Sequence, residues 1–159
     1  MTLWIDADST PREIRALLIR QAEAQEKHPE PRFSVKFVAS IPVKNLPDKY
    51  FTKIEPGADA ADRYIEQNAH PGDIVLTRDI PFAERLLAKD IAALNDRGDI
   101  FCKETIVERR SLRDAAAQLR LLGLAEESRR GSTPRSPADI TRFSDALDRL
   151  ITKVSRGSL

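Results

Sequence analysis

Short apolar runs alternate with longer amphipathic stretches along most of this chain. LWID, residues 3–6, predicts a short buried strand. Thr10-Pro11-Arg12-Glu13 then carries three marks of a helix start: an N-cap hydroxyl, a proline at the first helical position and a capping-box glutamate. Beyond it Ile14, Leu17, Leu18 and Ala22 recur on one helical face while Arg12, Arg15 and Glu23 point elsewhere, the spacing of a helix that lays one side on a sheet. FSVKFVAS predicts a second strand and KYFTKIE a weaker third, separated by the Pro-interrupted loop IPVKNLPDK. ADAADRYIEQNA predicts a helix closed by His70-Pro71-Gly72. DIVLTRD follows as a strongly apolar fourth strand, PFAERLLAKD as a helix, and IAALND as a fifth strand ahead of the turn residues Asp96-Arg97-Gly98. Strands and helices alternating at this spacing predict a mostly parallel sheet covered on both faces, a three-layer α/β/α domain.

Beyond Phe101 the pattern is helical only. SLRDAAAQLRLLG offers Ser111 and Asp114 as a cap pair and Gly123 as a stop, and EESRRGSTPRS has the composition of a linker. Ser136-Pro137-Ala138-Asp139 then opens an amphipathic helix carrying Ile140, Phe143, Leu147, Leu150 and Ile151. The expected organisation is an α/β domain over residues 1–125, a flexible linker over 126–136 and a helix over 137–154 docked back on the domain. A chain of 159 residues with 41% apolar positions suits one core.

Composition removes several function classes. The apolar runs are too short to span a bilayer, and MTLWIDAD lacks the basic start and apolar stretch of a secretory signal, so a cytosolic protein without membrane association is expected. A single cysteine, Cys102, excludes an internal disulfide and a cysteine-based zinc site, and His28 and His70 are far apart. Net charge is +1, but residues 1–102 carry 14 basic and 17 acidic side chains and the remainder 12 and 8. The excess of positive charge therefore lies in the C-terminal part.

Candidate chemistry sits at the strand ends. In open parallel sheets ligands bind outside the carboxyl ends of the strands, where the strand order reverses. Asp6 ends the first predicted strand, Asp8 follows in the loop, Asp59 and Asp62 follow the third strand, and Asp79 ends the fourth. Up to five carboxylates thus share one pole of the sheet. Without a cation such a cluster repels itself, and all-oxygen aspartate ligands suit Mg²⁺ or Mn²⁺ and not zinc. Singly, Asp59-Ala-Ala-Asp62 and Asp79 also read as helix caps. Asp6, directly after Leu3-Trp4-Ile5, is costly to bury unpaired and has no such alternative.

DAD before a Pro-started helix, then GADAADRYI, PGDIVLTRDIPFAERL, ALNDRG and KETIVERRSLRD, in that order, resemble the YaiI/YqxD family, whose domain is similar to PIN and NYN nuclease domains. The resemblance covers nearly the whole chain. It implies a PIN-like three-layer domain with an acidic, metal-dependent pole. Asp6 matches the PIN-like carboxylate at the end of the first strand, Asp59 the Asp of the NYN-like G-x-D segment, Asp62 the helix Asp before an apolar position, and Asp79 the T-x-D at the end of the fourth strand. Asp8 belongs to the family's own DAD. Where the family commonly has DADACP, this chain has DADSTP, so any role of that family cysteine is absent.

The function expected is therefore hydrolysis of phosphodiester bonds, with RNA favoured over DNA, at a Mg²⁺ or Mn²⁺ site of Asp6, Asp8, Asp59, Asp62 and Asp79; Asp6, Asp8 and Asp79 carry the catalysis. Arg113 and Arg120 share a helical face and Arg109 and Arg110 precede it, a set able to track a phosphate backbone, as are Arg129, Arg130 and Arg135 in the linker. The alternative for all these cations is solubilising surface charge. DADST also fits D-x-D-x-T, the motif of haloacid-dehalogenase-like phosphatases, in which the first Asp accepts a phosphoryl group. A third reading is a nucleic-acid-binding module without catalysis.

Overall fold

The computed structural model describes residues 1–121 and 135–157. Ten elements follow one another: β1 (Thr2–Asp6), α1 (Arg12–Glu26), β2 (Ser34–Ala39), β3 (Phe51–Lys53), α2 (Ala60–Asn68), β4 (Ile74–Leu76), α3 (Ile80–Ala88), β5 (Ala92–Leu94), α4 (Lys103–Leu121) and α5 (Pro137–Ser155). A single turn of 3₁₀ helix, Asp48–Tyr50, leads into β3.

The five strands form one sheet in the order β3-β2-β1-β4-β5, and every pair is parallel. Because side chains alternate across a strand, each strand supplies two cores. Leu3, Ile5, Phe37, Ile74, Leu76 and Leu94 face α1 and α5. Trp4, Val38, Val75 and Ala93 face the opposite way, toward Ile65 of α2, Phe82 and Leu86 of α3, and Ile106 of α4. The result is a three-layer α/β/α fold. The central strands are buried on both sides, which explains why DIVL reads as a continuous apolar run without alternation.

Helix α5 presents Phe143, Ala146, Leu147, Leu150, Ile151 and Val154 to the first of these cores. At about 1.5–3 kcal/mol for each large apolar side chain removed from water, stripping this helix from the sheet would cost on the order of 10 kcal/mol. Its start follows the sequence: the Ser136 hydroxyl accepts from the Asp139 backbone N–H, and the Asp139 carboxylate accepts in return from Ser136.

Two helix starts differ from expectation. Thr10 does not cap α1; its hydroxyl donates to the Asp6 carbonyl at 2.6 Å, Pro11 is the N-cap without a side-chain bond, and no capping box with Glu13 forms. With Pro11 at the N-cap and the helix starting at Arg12, Thr10 stands one residue ahead of the cap position and its hydroxyl closes back on β1. Helix α4 begins at Lys103, so Ser111 lies inside it and donates to the Val107 carbonyl instead of capping with Asp114. Arg109 and Arg110 therefore stand on the helix rather than ahead of it. Gly123, Arg129, Arg130 and the expected linker apart from Arg135 and Ser136 lie outside the described residues, as does the side chain of Arg120.

Candidate functional site

The strand order reverses between β1 and β4, with β2 and β3 continuing on one side and β5 on the other. Leu3, Trp4 and Ile5 are in register with Ile74, Val75 and Leu76, so Asp6 and Thr77 leave the sheet side by side. At this reversal point opens a cleft of about 460 Å³. Asp6, Asp8, Asp59, Asp62 and Asp79 all line it, together with Arg113.

Each carboxylate is delivered by different local physics. Asp6 Oδ1 accepts from the backbone N–H of Asp8 at 3.0 Å and of Ser9 at 3.4 Å, a turn in which the side chain substitutes for backbone acceptors. Arg15 ties the same loop down, donating to the carbonyls of Ala7 at 2.8 Å and Thr10 at 2.6 Å. Asp79 caps α3: its Oδ1 accepts from Phe82 N at 3.0 Å, while its own N–H donates to the Thr77 hydroxyl at 3.0 Å. Both residues thus spend Oδ1 on the backbone. Among the described residues neither Oδ2 receives a protein donor.

Asp59 behaves otherwise. It stands at the N-cap of α2 with φ 51° and ψ 26°, in the left-handed region, and its carboxylate makes no cap hydrogen bond. Of the two cap readings, Asp79 is a cap that also faces the cleft, whereas the Asp59 side chain does no capping. Asp62, in the first turn of α2, is half-buried and its carboxyl is pushed up to about 6, first by burial and then by the charges of Asp6, Asp79 and Asp59. The acids feel one another. Among the described residues, no three His, Cys, Asp or Glu side chains are grouped closely enough to hold a metal ion as they stand.

The arginines divide. Arg113 lines the cleft. Arg109 lies over the Phe101 ring, 5.7 Å from its centroid, and Arg110 pairs with Glu84 at 2.8 Å, so neither is among the lining residues. Sequence reasoning did not single out Arg78, Ser9, Ser40 or Thr77, which also line the cleft. For Arg78 a signal existed: a cation directly beside the candidate Asp79 at the end of an apolar strand.

The molecule is, in class, a three-layer α/β/α protein with an all-parallel sheet and an acidic cleft at its reversal point. The chain belongs to the YaiI/YqxD family: residues 4–153 match the family model described as "Uncharacterized BCR, YaiI/YqxD family". It is 39% identical to a UPF0178 protein of Treponema pallidum (strain Nichols) over 158 residues, 98% of this chain and 84% of that one. A UPF0178 protein of Hahella chejuensis is 37% identical over 98% of this chain and 99% of its own length, and one of Geobacter metallireducens 38% over 98% and 96%. These names state no activity. No solved structure matches.

Proposed function

We propose that the cleft is the active site of a metal-dependent nuclease with a PIN-like domain, hydrolysing phosphodiester bonds of nucleic acid, RNA in preference to DNA, in the cytoplasm. One observation carries this reading: five carboxylates from three separate segments of the chain line one cleft at the reversal point of the sheet. Independent caps and surface charges have no physical reason to converge where they raise one another's proton affinity; Asp62, lifted to about 6 first by its burial, is raised further by the charges of Asp6, Asp79 and Asp59.

The donor chemistry fits Mg²⁺ or Mn²⁺, because every candidate ligand is a carboxylate oxygen and the cleft holds more negative charge than its two arginines offset. Asp6, Asp59, Asp62 and Asp79 would hold the ion, which when bound neutralises charge developing on a phosphoryl group and acidifies water. The spare Oδ2 atoms of Asp6 and Asp79 supply oxygens whose positions the turns have already fixed. Asp8, exposed on the loop that Asp6 and Arg15 tie down, would accept a proton from attacking water. Arg113 meets the nucleic-acid backbone from α4.

The phosphatase reading of DADST is disfavoured by local structure. Thr10 is buried and committed to the Asp6 carbonyl, and α1 begins at Arg12, which leaves no chain for a flap after the motif. The deciding experiment is cleavage of short single-stranded RNA and DNA with Mg²⁺ or Mn²⁺: activity abolished by chelator and by Asp6→Asn supports the nuclease. Hydrolysis of a phosphomonoester alone, dependent on Asp6, replaces it with the phosphatase.

A further inference from the structure

Asp96 follows β5 at the same pole of the sheet, in a tight loop where Asn95 Oδ1 accepts from the N–H groups of Arg97 and Asp99. Unlike the cleft acids its side chain is almost completely buried, at 4% exposure, and it is paired. Arg78 donates to it through a two-pronged fork, Nε to Oδ1 and Nη2 to Oδ2, both at 2.7 Å. Arg135, just ahead of α5, donates to Oδ2 through Nε at 3.0 Å and through Nη2. Burial acts to raise the Asp96 carboxyl, and the hydrogen bonds from Arg78 and Arg135 outweigh it and hold it below the ordinary range.

One buried carboxylate needs one guanidinium for neutrality. Arg135 meets that need: its side chain is 13% exposed, so it shares the interior with Asp96. Arg78 is surplus in charge, 45% exposed, and lines the acidic cleft. Its fork is spent through Nε and Nη2, which leaves the Nη1 edge for another acceptor. A guanidinium locked on one edge by a bidentate carboxylate and open on the other loses little entropy on gripping a phosphate.

We propose that Arg78 binds a phosphate oxygen of the substrate in the cleft and that Asp96, neutralised independently by Arg135, is the positioning residue that aims it. This deepens the nuclease reading and rests on it for the identity of the phosphate carrier. Asp79 and Arg78 are adjacent in the chain, so the same loop presents both a carboxylate and a phosphate donor to the cleft.

The test is binding of a short single-stranded RNA, in chelator so that no cleavage occurs, as a function of salt, with metal-dependent cleavage measured separately. Arg78→Gln leaves Asp96 paired with Arg135 and is expected to fold. It should bind roughly tenfold more weakly, and the slope of log affinity against log salt should fall by about 0.7, one phosphate contact on a single strand. Arg78→Lys should restore the salt slope but not the full affinity, since it keeps the charge and loses the fork. Asp96→Asn should weaken binding and add nothing further in the Arg78→Gln background, a coupling that a purely structural role would not produce.

If the wild type cuts RNA and Arg78→Gln binds with unchanged slope and affinity, the Arg78 proposal is overturned and the nuclease reading stands. If RNA is bound with an Arg78-dependent slope but never cut, the proposal stands and the nuclease reading fails. Absence of binding at low salt in chelator, with metal-dependent cleavage unchanged by Arg78→Gln, overturns the Arg78 proposal alone, and absence of both binding and cleavage overturns both.

Discussion

The indole N–H of Trp4 donates to Asp73 Oδ2 at 3.1 Å, joining the middle of β1 to the residue that introduces β4. The same carboxylate accepts from His70 N at 3.1 Å, and its Oδ1 from Thr2 N at 2.7 Å. Asp73 thus pins the two central strands at the pole opposite the cleft. Their register carries through to Asp6 and Thr77 at the other end, so a bond remote from the acids helps decide where they stand.

Asp73→Ala should therefore destabilise the fold strongly for a partly buried residue. It leaves the buried Trp4 N–H without its acceptor and removes two backbone caps, a cost of about 2 kcal/mol or more and a fall of roughly 4–8 °C in Tm for a domain of this size. Thermal unfolding by circular dichroism measures it. A Tm within a degree or so of wild type would mean that water replaces these bonds without loss.

Gly98 makes a second structural prediction. Its φ is +85°, and a Cβ there would stand 3.0 Å from the Arg142 carbonyl oxygen and 3.2 Å from Ala146 Cβ and Phe143 Cα. The loop after β5 and helix α5 approach so closely only because no side chain intervenes. Gly98→Ala should cost about 1–3 kcal/mol in backbone strain alone, with added displacement of α5. Hydrogen exchange should speed first in α5, at Phe143 and Leu147; uniform loss of protection across the sheet would place the damage elsewhere.

The parallel sheet and its helices were legible because each strand is a short apolar run bounded by turn residues. The clearest boundary is His70-Pro71-Gly72-Asp73, where Asp73 N–H donates to the His70 carbonyl at 2.9 Å and Gly72 takes φ +92°, as a turn with Pro then Gly at its centre requires. The meeting of five acids at one cleft was legible from strand ends alone, since parallel topology sends every strand's carboxyl end to one pole. Tertiary choices among competing hydrogen bonds were not. Nothing in Thr10-Pro11 says that the hydroxyl turns back to Asp6, and Ser111 has the same hydroxyl whether it starts a helix or sits inside one. Asp96 in ALNDRG reads as a turn residue; its burial depends on Arg78 and Arg135, 18 and 39 residues away. A contact between separate loops leaves no periodic trace in either.

Asp62 gives the pH dependence. Its carboxyl is pushed up to about 6 from 3.8, so between those values the folded chain holds a proton that the unfolded chain releases. Stability from this group is therefore greatest in acid and falls as pH rises from about 4 through about 6. In chelator, Asp62→Asn should be more stable than wild type at neutral pH, and the two should converge in acid near pH 4, where both side chains are neutral. A displacement of this size in a sealed interior is worth about 3 kcal/mol; at a half-exposed cleft, solvent screening reduces it to on the order of 1 kcal/mol. Tm measured against pH checks this, and a difference independent of pH would assign the gain to something other than the charge.

Metal should reverse that order. If Asp6, Asp59, Asp62 and Asp79 hold Mg²⁺ or Mn²⁺, the repulsion that penalises the wild type in chelator becomes the source of its affinity, because the ion binds the folded chain and not the unfolded one. Free metal at ten times its dissociation constant should stabilise by about 1.4 kcal/mol, raising Tm by roughly 3–6 °C. Asp62→Asn, more stable than wild type without metal, should gain less and fall behind when metal is present. Asp6→Asn should lose most of the shift, since its Oδ2 is one of the two oxygens that the turns hold ready. Arg78→Gln should keep the shift, because its guanidinium holds no metal and Asp96 retains Arg135. Differential scanning calorimetry of the four proteins with and without millimolar metal separates these outcomes. Equal shifts in wild type and Asp6→Asn would place any bound ion outside the cleft, and no shift in the wild type at any millimolar concentration would remove the metal from the mechanism.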